Sequence, residues 1–486
     1  MSFPFISLLL HFLSPSPFNS YTFFPPLRKM FISLIFVLLF LAIWCRINRY
    51  TYNAQTVGFL HHAAAVGGGG ERVLWVMIDQ LQRNDASKGI TREYVLFINS
   101  DSSTNNGLAQ LVERQFKIKL IKPLRLVFLR PSLTKWLSGD EYPCLTLFLQ
   151  TVFGGALLFI DCAVLNRMTP VVIETVGIPM VYWLLRVFVG TTVVSYTHYP
   201  IISSTMLSRV SNAQVSTTNH GVAVTNPIVR KIKYVYYYIF YYLYKVMGQF
   251  PVIVFANSSW TLGHLKKVFA PRDVRLLYPP CDVKGFFTES LPIAERKPLI
   301  VSVGQFRPEK NHMLQLRAFH RCLHDLPSDA TLVLMGGVRN DADRARVEQL
   351  RGEAERLGLA QRVRFEVNTP FDNVRHLLNT GLVGLHTMTD EHFGIVIVEY
   401  LAAGCIVLAH KSGGVQLDIV NDPSLGFLAN TEELYAQQMV RIFSLWKSDI
   451  AALQSIQQKG AAHAKTFSDE AFGARLAHEL SSVLKS

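Results

Sequence analysis

Two runs of short apolar strands alternating with helical segments, divided by a proline- and charge-rich stretch, limit this chain to an α/β protein with two parallel-sheet lobes. In the first run Val57–Leu60 reads as a strand, Gly67–Gly70 as a glycine loop, and Glu71 onward as a helix with Val73, Leu74, Val76, Met77 and Leu81 apolar. Tyr94–Ile98 supplies the next strand and completes a β-α-β unit. Residues Tyr278–Pro298, YPPCDVKGFFTESLPIAERKP, break the pattern and read as a linker. Alternation then resumes, with strands at Leu299–Val303, Ala330–Met335, Val363–Val367, Leu382–Leu385 and Ile406–Ala409. Strands alternating with helices build doubly wound, Rossmann-like sheets, because parallel neighbours need a crossover to return the chain to the same end. The expected organisation is an apolar extension and anchor over 1–50, a first lobe over 51–277, the linker over 278–298, a second lobe over 299–465 and a C-terminal helix over 466–486. A chain of 486 residues exceeds what one core usually supports, in agreement with two lobes.

The front of the chain points to a membrane. Met30–Trp44, MFISLIFVLLFLAIW, carries no charge, and no small-residue cleavage site follows in Cys45–Tyr52, so a retained anchor is expected. Arg28 and Lys29 precede this run and Arg46 and Arg49 follow it, a balance that leaves its orientation unset. Upstream, Met1–Pro26 is apolar and punctuated by proline; it reads either as a second hydrophobic element or as an extension. Three internal stretches are also greasy: Leu145–Ile160, Val171–Val194 and Tyr234–Tyr244. Glu174 and Arg186 lie in the second, and charges in lipid are costly, so buried or membrane-resting helices are expected rather than spans. Tyrosines interleaved with Lys231, Lys233 and Lys245 suit a headgroup zone or an ordinary packed helix equally.

The net charge of +13 favours an anionic partner. Without clustered basic runs or interleaved aromatics, that partner is a membrane surface or a phosphorylated substrate rather than a nucleic acid. The six cysteines are scattered without CxxC or zinc spacing and read as reduced core thiols of a cytosol-facing chain.

The residues with chemistry to offer sit at expected strand ends, where ligands of open α/β sheets gather. The glycine loop Gly67, Gly68, Gly69, Gly70 opens a helix whose N–H groups can face an anion. His198 ends the strand in TTVVSYTHYP, and Asn257 ends VIVFA, with Ser259 or Thr261 expected to cap the helix that follows. In the second lobe Gly304, Arg307 and Lys310 follow the first strand; a guanidinium fork and an ammonium can neutralise a leaving diphosphate. Residues 391–399 read EHFGIVIVE, which puts Glu391 before a helix and Glu399 inside it, placed for sugar and ribose hydroxyls. Phe393 and Gly394 form the turn between them, and His386 and His392 flank Glu391. Ser412, Gly413 and Gly414 follow a strand and offer a further backbone cradle for phosphate. Asp341-Ala342-Asp343 is a D-x-D triplet, but its setting in NDADRARVEQLRGEAERL reads as the start of an exposed helix rather than a metal site. The histidines lack HExxH spacing.

EHFGIVIVE resembles the E-x7-E motif of glycosyltransferase family 4, whose members have the two-lobed GT-B fold. HHAAAVGGGGERVLW, SYTHYPIISSTML, NSSWTLGH, YPPCDV, SVGQFRPEKNH, LVLMGGVRND, HTMTDEHFGIVIVEYLAAG and AHKSGGVQLDIV resemble, in order, segments of its α-1,2-mannosyltransferases of asparagine-linked glycosylation. The resemblance implies GDP-mannose as donor and a dolichol-diphosphate-linked oligosaccharide as acceptor, at the cytosolic face of the endoplasmic reticulum membrane. It implies two α-1,2-linked mannoses added with retention, no cofactor or metal, and other early mannosyltransferases as partners. On that footing Glu399 would take ribose, Arg307 and Lys310 the diphosphate, and Glu391 and His198 the transferring mannose. Gly304, Phe393, Gly394, Ser412, Gly413 and Gly414 would complete the donor site, with the glycine loop facing it. The rival readings are a family 4 enzyme with another donor or acceptor and a non-catalytic membrane scaffold.

Overall fold

The computed structural model describes residues 40–47, 52–64, 68–99, 104–214, 221–287 and 290–484. The expected anchor at 30–44 lies outside the described residues except for 40–44, which begin a helix over 40–47; Met1–Pro26 and Gly67 also lie outside them.

Seven strands form the first sheet: β1 (Val57–Leu60), β2 (Tyr94–Asn99), β3 (Arg125–Leu129), β4 (Val171–Glu174), β5 (Thr192–Thr197), β6 (Ile253–Ala256) and β7 (Val274–Leu276). Their order is β3-β2-β1-β4-β5-β6-β7, parallel throughout. Six form the second: β8 (Lys297–Val303), β9 (Thr331–Gly336), β10 (Val363–Val367), β11 (Gly381–Leu385), β12 (Ile406–His410) and β13 (Phe427–Ala429), ordered β10-β9-β8-β11-β12-β13 and again parallel. Winding reverses between β1 and β4 in one sheet and between β8 and β11 in the other. Such reversals open a crevice at the carboxyl ends of the strands. The loops after β1, β5, β8 and β11 are those that carry the glycine run, His198, Lys310 and Glu391.

The central strands are buried on both faces, as helix-covered parallel sheets require, and these are the strands legible as apolar runs. The reading above passes over β3, an edge strand with the apolar run RLVFL, and the three-residue β7 and β13. The apolar stretch 171–194 divides into β4, a helical turn pair over Pro179–Val189 and the start of β5. Glu174 is buried at the end of β4, accepting from the Val176 and Gly177 N–H groups and the Tyr182 hydroxyl. Thr146–Leu165 is long and apolar enough to cross a bilayer, but it packs into the lobe, and its buried Asp161 meets Arg130 at 2.6 Å.

Among the helices, α1 (Gly69–Ser87) follows the glycine loop and α2 (Pro227–Met247) holds the tyrosines. Pro227 opens α2, and the Asn226 side chain accepts from the Ile228 and Val229 N–H groups. For α3 (Ser259–Val268) the cap is Ser258, which accepts from the Thr261 N–H at 3.0 Å, one residue earlier than the sequence suggests. The D-x-D triplet starts α4 (Asp341–Arg356), capped by Asn340. Asp341 and Asp343 are spent on the positive end of that helix. The E-x7-E segment contributes α5 (Ile395–Ala402). The last helix, α6 (Asp469–Leu480), crosses back: Phe472, Leu476 and Leu480 join the first lobe's core beside Trp75 and Val76 of α1.

Candidate active site between the lobes

A cleft of about 720 Å³ lies between the carboxyl ends of the two sheets. Its first-lobe wall includes Gly68, Gly69, Gly70, Arg72 and His198, and its second-lobe wall includes Gly304, Lys310, Glu391, Phe393, Gly394 and Glu399. Local structure holds each wall in place. The Gly68 N–H donates to Glu71 Oε2 at 2.8 Å, fixing the loop on the first turn of α1, and Trp75 Nε1 donates to the Ala64 carbonyl at 3.1 Å. The glycines allow close approach. A Cβ on Gly69 would stand 3.2 Å from Ile395 of the opposite lobe, and one on Gly70 would stand 3.3 Å from the His198 ring.

Glu391 is the electrostatic centre of the second wall. Its Oε2 lies 2.7 Å from Lys310 Nζ and 3.3 Å from His386 Nε2. Burial opposes its ionisation, but His386 and the Lys310 ammonium outweigh it and hold the carboxylate well below the usual range. Thr387 ties the two loops together, donating to the Lys310 carbonyl at 2.8 Å while accepting from Gln315 at the same distance. Glu399, half-buried on α5, has the opposite environment. Burial pushes its pKa up to about 7 against the pull of Arg72, with Asp282 adding repulsion. Burial also depresses His198 to about 4, so its imidazole is neutral at physiological pH, and its Nε2 is buried without a hydrogen-bond partner.

Arg307 precedes the short turn Pro308–Lys310, with its guanidinium 3.6 Å from Glu309 and its Nε buried without a hydrogen-bond partner, while Gln305 and Lys310 line the cleft. Ser412, Gly413 and Gly414 do not line it. They brace the Glu391 loop from behind: Ser412 Oγ accepts from the Asp390 N–H at 2.7 Å, and the Gly414 N–H is committed to the Glu391 carbonyl at 2.9 Å. Gly413 has φ +63, and a Cβ there would stand 2.4 Å from the Glu391 carbonyl oxygen. A Cβ on Gly414 would stand 2.3 Å from that of His392. Gly413→Ala and Gly414→Ala are therefore expected to displace Glu391 and lower the activity of this site about a hundredfold, measured as kcat with folding checked by circular dichroism.

The sequence reading passed over Arg72, which binds three parts of the chain. It donates to the Pro280 carbonyl at 3.3 Å, to the Phe116 carbonyl at 3.3 Å and to both Asp469 oxygens at 2.8 and 2.9 Å. Its place one turn after the glycine loop was the available signal. The lobes also meet through a ring stack of Tyr199 on His392, with centroids 4.2 Å apart, and Tyr199 on Trp260, 5.2 Å apart. Arg209–Asp390 at 3.1 Å and the Ser259 N–H on Asp418 at 2.9 Å complete that contact. Nothing local in the sequence couples these pairs.

Two doubly wound parallel sheets, with a charged cleft between the carboxyl ends of their strands, define a GT-B glycosyltransferase. Residues 54–269 match the family described as ALG11 mannosyltransferase N-terminus, and residues 283–461 match Glycosyl transferases group 1. The chain belongs to the ALG11 mannosyltransferase family. A human GDP-Man:Man(3)GlcNAc(2)-PP-Dol alpha-1,2-mannosyltransferase is 40% identical over 433 residues, covering 86% of this chain and 85% of that protein. The Dictyostelium discoideum protein of the same name is 36% identical, covering 80% of this chain and 78% of its own. In fold the chain is similar to Anabaena Alr3699/HepE solved with UDP and glucose, with TM-score 0.58, 17% identity, and 88% and 99% of the two chains covered. It is likewise similar to WaaG, a glycosyltransferase involved in lipopolysaccharide biosynthesis, with TM-score 0.56, 14% identity, and coverage of 87% and 99%.

Proposed function

We propose that this chain transfers two mannoses in turn, each in α-1,2 linkage and with retention, from GDP-mannose to a dolichol-diphosphate-linked trimannosyl-chitobiose. The observation that carries this reading is the Lys310–Glu391 pair facing the glycine loop and His198 across one cleft, in a chain of this family. The donor lies on the second lobe, with ribose on Glu399 and diphosphate against Lys310 and the Gly304 backbone. Phe393 and Gly394 shape the turn beneath it. Glu391 and the neutral His198 orient the mannose, while Gly68, Gly69 and Gly70 offer backbone N–H groups at the start of α1. Arg307, Ser412, Gly413 and Gly414 act as positioning residues. The first lobe is assigned to 51–277 and the second to 299–465, with 278–298 between them, and α6 of the remaining 466–486 packs on the first lobe's core. Catalysis needs no metal, and the protein works at the cytosolic face of the endoplasmic reticulum membrane, beside other early mannosyltransferases.

The chemistry breaks the bond between mannose C1 and the β-phosphate oxygen, and the electron pair leaves with GDP. Lys310 stabilises that charge. The acceptor 2-hydroxyl oxygen bonds C1 on the face the phosphate leaves, and its proton passes to the departing phosphate oxygen. Among the described residues the first-lobe wall carries no carboxylate. Glu391 is already held by a lysine and a histidine. A same-face substitution therefore fits these residues better than double displacement through a covalent sugar–enzyme intermediate.

The test is mannose transfer from GDP-mannose to a short-chain lipid-diphosphate trimannosyl-chitobiose in EDTA. Elongation by two residues that an α-1,2-mannosidase removes is the expected result. A folded, reconstituted protein that ignores GDP-mannose but uses another nucleotide sugar would discard the substrate assignment. pH supplies a second check. Glu399 is protonated below about 7 and accepts ribose hydroxyls best when ionised. The KM for GDP-mannose should therefore fall about three- to tenfold between pH 6 and pH 8, and Glu399→Gln should flatten that dependence.

A further inference from the structure

Among the described residues, two side chains on the cleft wall carry a buried polar atom without a hydrogen-bond partner: His198 at Nε2 and Asn257 at Oδ1. The sheet makes them neighbours. Thr197 at the end of β5 is paired in parallel with Ala256 at the end of β6, and His198 and Asn257 follow as the next residue on each chain segment. Asn257 is only 6% exposed. An unpaired buried acceptor costs stability, so a fold keeps one where a ligand completes it.

The backbone holds Asn257 from both sides. The Leu277 N–H donates to the Ala256 carbonyl at 2.9 Å. On the other side Ser258 caps α3, and the Thr261 hydroxyl donates to the His198 carbonyl at 3.4 Å, which ties the two strand ends together. One residue beyond that cap, the Ser259 N–H meets Asp418 of the second lobe. The carboxamide is thus positioned before any ligand arrives.

Its chemistry selects the ligand. A carboxamide carries no charge, and the His198 imidazole beside it is neutral, so the pair suits sugar hydroxyls rather than phosphate. Position selects the sugar. Lys310, Glu391 and Glu399, the groups assigned to the donor, stand on the second lobe, whereas Asn257 stands on the first. Along the order β1-β4-β5-β6 the glycine loop follows β1, His198 follows β5, and Asn257 lies one strand further out. It therefore lies beyond the residue that orients the transferring mannose, where the acceptor has to enter. The acceptor's 2-hydroxyl is spent on the donor C1 and its proton on the departing phosphate. The 3-hydroxyl is the one free group next to it on the ring.

We propose that Asn257 Oδ1 accepts from the 3-hydroxyl of the acceptor's terminal mannose, and so turns the 2-hydroxyl toward the donor C1 and keeps the 3-hydroxyl from attacking. Asn257 is in this sense a specificity-determining residue. The inference rests on the proposed mannosyl acceptor, and its test reads binding as well as transfer.

The full chain and its Asn257→Ala variant are titrated in GDP with the short-chain lipid-diphosphate trimannosyl-chitobiose and with the same acceptor lacking the 3-hydroxyl of the mannose to be elongated. Wild type should bind the deoxy acceptor about tenfold more weakly than the parent, the effect of one neutral hydrogen bond left unmade. Asn257→Ala should bind both acceptors alike, at the weaker level, with its affinity for GDP unchanged. Its thermal midpoint should stay within about two degrees of wild type or rise, because Oδ1 gives up no bond within the protein. An equal deoxy penalty in both proteins would overturn the proposal. A weaker grip on GDP would place Asn257 on the donor and overturn it too, and a midpoint clearly below wild type would give the residue a structural role instead. Wild type that transfers mannose without this dependence keeps the transferase reading and rejects the Asn257 contact. Wild type that shows the dependence in binding but ignores GDP-mannose as donor does the reverse.

Discussion

Lys310→Ala is expected to lower kcat for mannose transfer by about 10²–10³-fold, the range that follows loss of a single preorganised donor to developing charge. Lys310 serves two partners in this reading. In the free enzyme it pairs with Glu391 at 2.7 Å, and in the transition state it faces the departing diphosphate. Glu391→Ala should match that loss for a different reason: it leaves the Lys310 ammonium and buried His386 without their carboxylate and removes the group that orients mannose. Because the two residues act as a unit, the double variant should be little worse than either single one. Arg307→Ala is expected to cost markedly less, since its guanidinium sits beside Glu309 while Lys310 lines the cleft. Steady-state kinetics on all four proteins checks this. An Arg307→Ala loss as deep as that of Lys310→Ala would return the arginine to the diphosphate.

The largest effect on stability should come from Arg296, which no catalytic argument singles out. It is buried at the entry to β8, and its guanidinium meets carbonyl oxygens rather than a carboxylate. Nε donates to Leu291 at 3.1 Å, Nη1 to Leu378 at 3.1 Å and Gly381 at 2.5 Å, and Nη2 to Ala403 and to Ser290 Oγ. One side chain thus joins the end of the linker to the start of β11 and the end of α5. Arg296→Met would leave several buried carbonyls without donors, at a cost of about 3–5 kcal/mol. Urea denaturation should show a lower midpoint for the second lobe, and added GDP-mannose should recover part of it, because ligand binds only the folded form. An unchanged midpoint would mean that water replaces those donors.

Much of the fold was legible because parallel sheets bury both faces of their central strands. β1, β2, β5, β6, β8, β9, β10, β11 and β12 all announce themselves as apolar or β-branched runs, and the loops after them hold the glycine run, His198, Lys310 and Glu391. β3 carries an equally apolar run, RLVFL, that the reading passed over, and the three-residue β7 and β13 are too short to show one. Gly394 was likewise legible as the turn into α5, which begins at Ile395 and carries Glu399.

What tertiary structure alone decided is the state and surroundings of those residues. Spacing makes Glu391 and Glu399 look alike, yet Lys310 and His386 keep one ionised while burial lifts the other to about 7. Sequence placed Arg307 and the 412–414 turn by their strands; the direction of a turn put the first beside Glu309 and the second behind the Glu391 loop. Arg72 gained its role from Asp469, and α6 its place from the first lobe's core, across nearly the whole length of the chain. Periodicity and motif are local properties of the backbone and survive in a string of letters. Charge state, orientation and long-range pairing depend on which distant groups share a low-dielectric space, and only the folded chain specifies that.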